Sequence, residues 1–300
     1  MSSAVRPSVV RIREVGPRDG LQAESPVGVE ERVALVEALV AAGLRELEAV
    51  AFVSPSAVPA MAGAADVMAG VQRRPEVSYV ALVPNLRGAQ LAIEAGVDGL
   101  SVTVSASPEY NRRNVRMSID ESVAQVTAIA EAVGEVPIDV VVSCAFGSPY
   151  EGDLAPSDVA ALGDRVLAAG ATSLTYADTT GMATPRRVGE LLDEVGVDVG
   201  LHLHETRGTG LVNAYAAWEH GVARFDTSVG GLGGSPFATD TAGNLATEDL
   251  VHLLDDLGVA TGVDLGLLLS ASALAARTVG HDVPSRVAAA GPRSRLAETR

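Results

Sequence analysis

The segment PSDVAALGDRVLAAGATSLTYAD, residues 156–178, contains the pattern that decides the fold. Residues 156–170 carry apolar side chains at helical spacing, and residues 173–178 form a short strand-like run. Gly170 lies between them, where a residue in the left-handed conformation would end the helix. A helix that ends on glycine and leads directly into a buried strand is the repeating unit of an α/β protein.

The same order of elements recurs along the chain. Three other helical segments also end on glycine before an apolar residue: AAGL at 41–44, EAGV at 94–97 and EHGV at 219–222. Eight runs are strand-like: 9–15, 44–52, 77–83, 99–106, 138–146, 173–178, 199–205 and 224–229. Strands that alternate with helices form a parallel sheet with right-handed crossovers. Eight such units predict an α/β fold of the (β/α)8 TIM-barrel type.

An open, doubly wound sheet is the alternative fold. That fold often carries a glycine-rich phosphate-binding fingerprint after its first strand, whereas VGPRDG at 15–20 stands there in this chain. Residues after about 260 are predicted to form additional C-terminal helices. We expect one TIM-barrel catalytic domain over 9–285, with a disordered N-terminus at 1–8 and a flexible tail at 286–300.

Charge and composition exclude several functional classes. The chain has 22 basic and 38 acidic residues and a net charge of −16, which disfavours nucleic-acid binding. The single cysteine, Cys144, excludes an intrachain disulfide and fits a reducing compartment. The N-terminus lacks a signal-peptide pattern, and the longest apolar stretch, 265–276, is too short for a bilayer. We therefore expect a cytoplasmic protein without a membrane partner.

Polar residues collect at the predicted carboxyl ends of the strands, where TIM-barrel enzymes carry their active sites. His202 and His204 are two residues apart on one strand, so their side chains share a face. A chance pair of core histidines is the alternative to a metal site. Asp19 and Asn244 would add oxygen ligands from the first and last strands. Two nitrogen and two oxygen ligands without a thiolate favour Mg²⁺ or Mn²⁺ over structural zinc.

Charged residues near these candidates have more than one interpretation. Arg18 could form a salt bridge, or its permanent charge could stabilise a developing oxyanion. Glu48 and Asp178 could orient Arg18, tune the surroundings of the metal or transfer protons, and we rank orientation first.

Eight motifs, taken in order, make the chain resemble a known enzyme family. They are VGPRDGLQ (15–22), FVSP (52–55), PNLRG (84–88), VSCAFGSPYEG (142–152), ADTTGMATP (177–185), HLHETRG (202–208), GLGGSPFA (231–238) and GNLATEDL (243–250). The chain resembles the 3-hydroxy-3-methylglutaryl-CoA lyases over about residues 9 to 285. The resemblance implies a homodimer that acts on an acyl-CoA. It also implies a divalent cation, Mg²⁺ or Mn²⁺, bound by the following residues: Asp19, His202, His204 and Asn244.

The resemblance also implies the chemistry. This family cleaves 3-hydroxy-3-methylglutaryl-CoA to acetoacetate and acetyl-CoA, and Arg18 would stabilise the acetyl-CoA enolate. His202 is our first candidate for the base that takes the hydroxyl proton. Arg112 and Arg113, in the basic run 110–116, and Asn85 after the third strand are the candidates for contacts with CoA. Ordinary surface charge is the alternative for the two arginines.

One departure from the family pattern lies in the glycine-rich loop. The lyases carry a cysteine there that is thought to act in proton transfer, and this chain has Ser235. A thiol ionises near pH 8.5 and exchanges protons close to neutrality, whereas a serine hydroxyl can only relay a proton or position water. Cys144 lies on the fifth strand and does not replace the missing thiol.

Three functions therefore stay open at the level of sequence. The first is a lyase for 3-hydroxy-3-methylglutaryl-CoA or a related substrate such as citramalyl-CoA or a longer branched glutaryl-CoA. The second is a transferase that condenses acetyl-CoA with a 2-oxo acid, against which the lyase-type residues around the loop argue. The third is a weakly active acyl-CoA binder, which Ser235 favours and the complete set of metal ligands opposes.

Overall fold

A computed structural model of the chain describes residues 5–234 and 243–295. Its eight parallel strands form a closed barrel in sequence order. The strands are β1 (Arg11–Glu14), β2 (Glu46–Ala51), β3 (Ser78–Leu82), β4 (Gly99–Ser105), β5 (Ile138–Ser143), β6 (Ser173–Ala177), β7 (Gly200–His202) and β8 (Arg224–Thr227). All eight predicted strands are present, and closure of the barrel confirms the TIM-barrel prediction over the open sheet.

Helices follow every strand and cover the outside of the barrel. They are α1 (Val29–Ala41), α2 (Ala64–Gly70), α3 (Leu86–Glu94), α4 (Pro108–Val115), α5 (Ile119–Val133), α6 (Pro156–Ala168), α7 (Pro185–Val195), α8 (Gly210–His220), α9 (Thr247–Asp256), α10 (Leu265–Val279) and α11 (Arg286–Ala290). The last two helices, α10 and α11, confirm the predicted C-terminal additions.

The glycines predicted to end helices adopt the left-handed conformation. Their φ angles are +108° at Gly43, +75° at Gly96, +106° at Gly170 and +114° at Gly221. A side chain is disfavoured at such angles, so glycine permits the sharp change of direction from helix to strand. At Gly43 a Cβ would also overlap with the carbonyl oxygen of Gly262, because the chain segments approach closely there.

The apolar core lies mainly between the barrel and its helices, whereas the interior of the barrel is partly polar. Leu35 and Leu39 of α1, for example, are fully buried in that outer core. Inside the barrel, Arg13 of β1 is in register with Asp226 of β8, and Asp226 is in register with His202 of β7. The strand register therefore brings charged side chains together beneath the carboxyl-terminal mouth.

Two short helical turns lie at that mouth. A π-helical turn, Gly16–Gly20, follows β1, and a 3₁₀ turn, Val229–Gly231, follows β8. The buried carboxylate of Glu14 joins them, since its Oε1 accepts hydrogen bonds from Gly16 N (2.7 Å) and Val229 N (2.8 Å). Burial raises the pKa of Glu14 to about 8.

Contacts at both ends of the predicted domain extend beyond its boundaries. The carbonyl of Pro7 accepts a hydrogen bond from Trp218 Nε1 at 2.9 Å, and α11 begins after the capping residue Ser285. The boundaries 1–8, 9–285 and 286–300 stay predictions. Within the described ranges, no helix has the length and apolar character needed to cross a membrane.

Candidate active site and metal centre

The four predicted metal ligands meet at the carboxyl-terminal mouth of the barrel. His202 ends β7, His204 follows it, and Asp19 lies in the π-helical turn after β1. The Nε2 atoms of the two histidines are 3.0 Å apart, and Asp19 Oδ2 lies 3.9 Å from His202 Nε2. Asn244 donates from Nδ2 to Asp19 Oδ2 at 2.8 Å. The structure thus brings together residues separated by up to 225 positions in sequence.

Unsatisfied polar atoms show that this cluster fits a cation. Asn244 Oδ1 and His204 Nδ1 are buried and have no hydrogen-bond partner among the described residues. Burial and the neighbouring His202 lower the pKa of His204, so its imidazole is neutral. Two ring nitrogens that face each other at 3.0 Å need a shared proton or a shared cation. Asp19, His202 and His204 offer ligand atoms that all lie within 4.8 Å of one another.

Charged neighbours outweigh the effect of burial at both Asp19 and His202. At Asp19, burial is the largest influence and opposes ionisation, but Arg18, the two histidines and Asn244 together outweigh it and lower the pKa of the carboxyl. At His202, burial opposes the positive charge, but the contact with Asp226 outweighs it and raises the pKa of the ring. Asp19 therefore offers an anionic oxygen, the kind of donor that a hard divalent cation prefers.

The guanidinium of Arg18 is held rigidly beside the cluster. Its Nε and one terminal nitrogen both contact Oε2 of Glu48 on β2, and the other terminal nitrogen donates to Asp19 Oδ1 at 2.5 Å. Glu48 is buried. Burial opposes the charge of Arg18, but Asp19 and Glu48 outweigh it and raise the pKa of Arg18, so the group stays cationic. Glu48 thus contacts Arg18 through two nitrogens, and its orienting role stays a prediction.

Asp178 has a different environment from the one predicted. Its Oδ1 accepts a hydrogen bond from Ala183 N at 2.9 Å, so this carboxyl supports the loop after β6 and does not orient Arg18. Its Oδ2 is buried without a partner in the described part of the chain, and burial raises its pKa to about 7. Asp178 can therefore change protonation state near neutrality.

A cavity of about 870 Å³ opens beside the cluster. Arg18, Asp19, His202 and His204 line its inner part. Asn85 also lines it, while its Oδ1 caps α3 by accepting a hydrogen bond from Gly88 N at 3.0 Å.

The two arginines predicted to contact CoA separate in the structure. Arg113 lines the cavity and lies over the ring of Tyr150, at 4.6 Å from its centroid. Arg112 is not among the lining residues. It pairs with Glu109 on the exposed side of α4, and 66% of its side chain is accessible. Of these two arginines, Arg113 is thus the one placed to contact a molecule in the cavity.

Two buried residues with a direct bearing on the site were missed in the sequence. Asp226 Oδ2 lies 3.2 Å from His202 Nδ1, and Arg13 pairs with the same carboxylate at 2.8 Å. The signal that could have found them is strand alternation, because Arg13 and Asp226 are charged residues at inward-facing positions of short strands. Ser235, the predicted proton-transfer residue, lies outside the described residues.

Comparison with known proteins identifies the family of the chain. A family model described as HMGL-like matches residues 9–275. The chain is 40% identical over 292 residues to a 3-hydroxy-3-isohexenylglutaryl-CoA/hydroxymethylglutaryl-CoA lyase of Pseudomonas aeruginosa, covering 95% of this chain and 97% of the relative. It is also 40% identical over 301 residues to an (R)-citramalyl-CoA lyase of Chloroflexus aurantiacus, covering 94% and 95%.

A solved structure extends the similarity to three dimensions. An HMG-CoA lyase from Acinetobacter baumannii, in complex with coenzyme A and 3-methylmalate, superposes with a TM-score of 0.92 at 39% identity and covers 98% of each chain. The match of the family model to most of the chain and the identity to these relatives lead to one conclusion: the chain belongs to the HMGL-like family.

Proposed function

We propose that the chain is a divalent-cation-dependent carbon–carbon lyase that cleaves a 3-hydroxy-3-methylglutaryl-CoA-like thioester to acetyl-CoA and a keto acid. One observation carries the proposal: Asp19, His202, His204 and Asn244 converge beside the fixed guanidinium of Arg18 at the wall of one cavity. The names of the relatives with about 40% identity, two of which are lyases for branched 3-hydroxyacyl-CoA substrates, support it.

The residues of the chain divide the reaction between them. The cation, Mg²⁺ or Mn²⁺, would polarise the substrate hydroxyl and a neighbouring oxygen as a Lewis acid. Loss of the hydroxyl proton lets the C2–C3 bond break, and its electron pair moves to the thioester oxygen. Arg18 stabilises this enolate with its permanent charge, and Glu48 prevents the guanidinium from turning away. A proton then returns to C2 and releases acetyl-CoA.

The two roles predicted for His202 compete for one nitrogen. Nδ1 contacts Asp226, so Nε2 is the atom available either as a ligand or as a base. We assign Nε2 to the cation, because it points to His204 and Asp19. Asp178, with a pKa raised to about 7, is the described carboxyl best suited to exchange protons near neutrality. It does not line the cavity, so it would act through Thr179, which does, or through water.

A panel of thioesters tests the proposal. Purified protein with Mn²⁺ is mixed with 3-hydroxy-3-methylglutaryl-CoA, and acetyl-CoA and acetoacetate are measured together. Release of both in equal amounts, abolished by a chelator and by His204→Gln, is expected. Tight binding without cleavage would identify an acyl-CoA binder instead. Release of free CoA from acetyl-CoA and a 2-oxo acid would identify a condensing transferase.

The shape of the cavity favours a second group of substrates. Leu82, Val141 and Ala177 line it without bulky or charged side chains, which leaves room for a hydrocarbon branch. The relative from Pseudomonas aeruginosa carries a substrate name with a longer branch than methyl. We therefore include a longer branched 3-hydroxyglutaryl-CoA and citramalyl-CoA in the panel, and the highest kcat/KM identifies the preferred acyl group.

The assembly and location also belong to the proposal. We propose a homodimer in the cytoplasm, on the support of the family resemblance and of a single buried cysteine. Light scattering coupled to size-exclusion chromatography measures the mass of the assembly against the 30.6 kDa of one chain.

A further inference from the structure

Arg13 extends from β1 across the interior of the barrel, beneath the candidate metal centre. Its Nε and one terminal nitrogen donate to the two oxygens of Asp226, each at 2.8 Å. Its other terminal nitrogen donates to Asp139 Oδ2 on β5 at 2.9 Å. Arg13 and both carboxylates are buried, so these charges depend on one another for compensation.

The pairing with Arg13 determines the direction of the hydrogen bond between Asp226 and His202. A guanidinium can only donate hydrogen bonds, and its two parallel bonds to Asp226 match an ionised carboxylate. An ionised carboxylate has no proton to give, so in the contact of 3.2 Å His202 Nδ1 is the donor. The proton of a neutral His202 is thereby fixed on Nδ1, and Nε2 keeps its lone pair.

The free nitrogen points to the place where the ligands converge. Nε2 of His202 lies 3.0 Å from His204 Nε2 and 3.9 Å from Asp19 Oδ2. We propose that Asp226, held by Arg13, is a positioning residue that sets the tautomer and the ring orientation of His202 for binding the cation. This inference rests on the proposed function, since it deepens the description of the same metal centre.

Asp139 provides a matched control. It is a buried strand carboxylate that contacts Arg13, as Asp226 does, but in the structure only Asp226 also contacts His202. In either orientation, an Asn at 226 places an amide nitrogen opposite one of the two Arg13 donors, because Arg13 donates to both oxygens of Asp226. The substitution also removes the negative charge that fixes the ring proton on Nδ1, so His202 is no longer held in one tautomer and orientation. An Asn at 139 leaves the pair of Arg13 with Asp226 in place.

Manganese binding tests the inference without using activity. Mn²⁺ is titrated into wild type, Asp226→Asn and Asp139→Asn, with Kd from calorimetry and the free ion from electron paramagnetic resonance. We expect Asp226→Asn to weaken binding about 10- to 100-fold and Asp139→Asn to change it less than about threefold. Equal losses in both variants would overturn the inference. Absence of Mn²⁺ binding in wild type would instead contradict the metal centre of the proposed function.

A second measurement needs no variant at Asp226 and covers the case in which that variant does not fold. Long-range ¹H–¹⁵N correlation spectra of the metal-free wild type at pH 8.5 report which ring nitrogen of His202 carries the proton, with His202→Gln used for assignment. We expect the Nδ1–H form. A spectrum that shows the Nε2–H form of His202 would overturn the inference, whatever the binding data show.

Discussion

Glu48 Oε2 contacts two nitrogens of the Arg18 guanidinium, and the third nitrogen of that group is bonded to Asp19. The carboxylates of Glu48 and Asp19 thus fix the plane of the Arg18 guanidinium at the wall of the cavity. A lysine ammonium group, which lacks the planar arrangement of three nitrogens, cannot make this set of contacts. The orientation of Arg18, as well as its charge, is therefore part of the site.

Arg18→Lys tests the value of that orientation. The positive charge remains, but the planar set of guanidinium donors is lost. The kcat should therefore fall about 10²- to 10³-fold, as when one donor to an oxyanion is removed. Glu48→Gln should give a smaller loss, about tenfold, with little change in KM. Glu46→Gln, on the same strand, is the control and should keep wild-type kcat. A kcat for Arg18→Lys close to wild type would contradict the enolate role.

Arg112 and Arg113 form a natural pair for testing the CoA contact. Arg113→Gln should raise KM for the CoA thioester about two- to fivefold, because a partly exposed charge contributes modestly. Arg112→Gln, which removes the same charge on the outer face, should leave KM unchanged. The corresponding pantetheine thioester lacks the nucleotide phosphates, so neither variant should affect its KM. Equal effects of both variants would indicate general electrostatics and no specific contact.

The buried carboxyl of Glu14 predicts a dependence of stability on pH. Burial raises its pKa to about 8, so the folded state keeps a proton that the unfolded chain releases near its ordinary pKa. Its contribution to stability is therefore complete below pH 4.5 and is lost as pH rises towards 8. Glu14→Gln imitates the protonated form, and its melting temperature relative to wild type should rise steadily between pH 5 and pH 8.

The same reasoning gives the size of the pH effect on stability and a control variant for it. The slope is at most about 1.4 kcal/mol per pH unit for one group. Burial raises the pKa of Glu248 to about 7, so Glu248→Gln should show the same trend and level off about one unit earlier. A difference from wild type that stays constant with pH would show that Glu14 is ionised in the folded protein.

Cys144 should be inert in the folded protein. It is fully buried, and burial raises the pKa of its thiol to about 12, so almost no thiolate forms at pH 8. Ellman's reagent should find no reactive thiol in the native protein and one in guanidinium chloride, where the single cysteine is exposed. The lyase activity should likewise resist iodoacetamide. Rapid native labelling would contradict this environment.

Ser235→Cys should restore a group that exchanges protons near neutrality. If the residue at 235 delivers the proton to the enolate carbon, the variant should cleave 3-hydroxy-3-methylglutaryl-CoA about tenfold faster or more. It should also become sensitive to iodoacetamide, which Ser235→Ala would not. No gain at any pH from 6 to 9 would argue that this residue is not the proton donor.

Local signals made the fold and the clustering of the four candidate ligands predictable. Gly43 and Gly170 mark helix ends by backbone conformation alone, and two histidines at strand spacing share a face in any strand. The four candidate ligands could be grouped because the carboxyl ends of all barrel strands meet at one mouth.

The remaining features depend on geometry that sequence spacing does not show. Arg13 and Asp226 are 213 positions apart, and only the register of the closed barrel makes them partners. Arg112 and Arg113 are neighbours in sequence, yet the rotation of α4 against the barrel decides which of them reaches the cavity. Glu48 and Asp178 were equivalent candidates for orienting Arg18 in the sequence. In the structure the loop after β6 binds Asp178, because Ala183 N donates a hydrogen bond to its carboxyl.

The ends of the glycine-rich loop lie against each other at the mouth of the barrel. A Cβ at Gly243 would overlap with the carbonyl oxygen of Gly233, so the two backbone segments lie in contact just before Asn244. A side chain at position 243 would therefore push the two backbone segments apart and displace Asn244 from Asp19 without changing either residue.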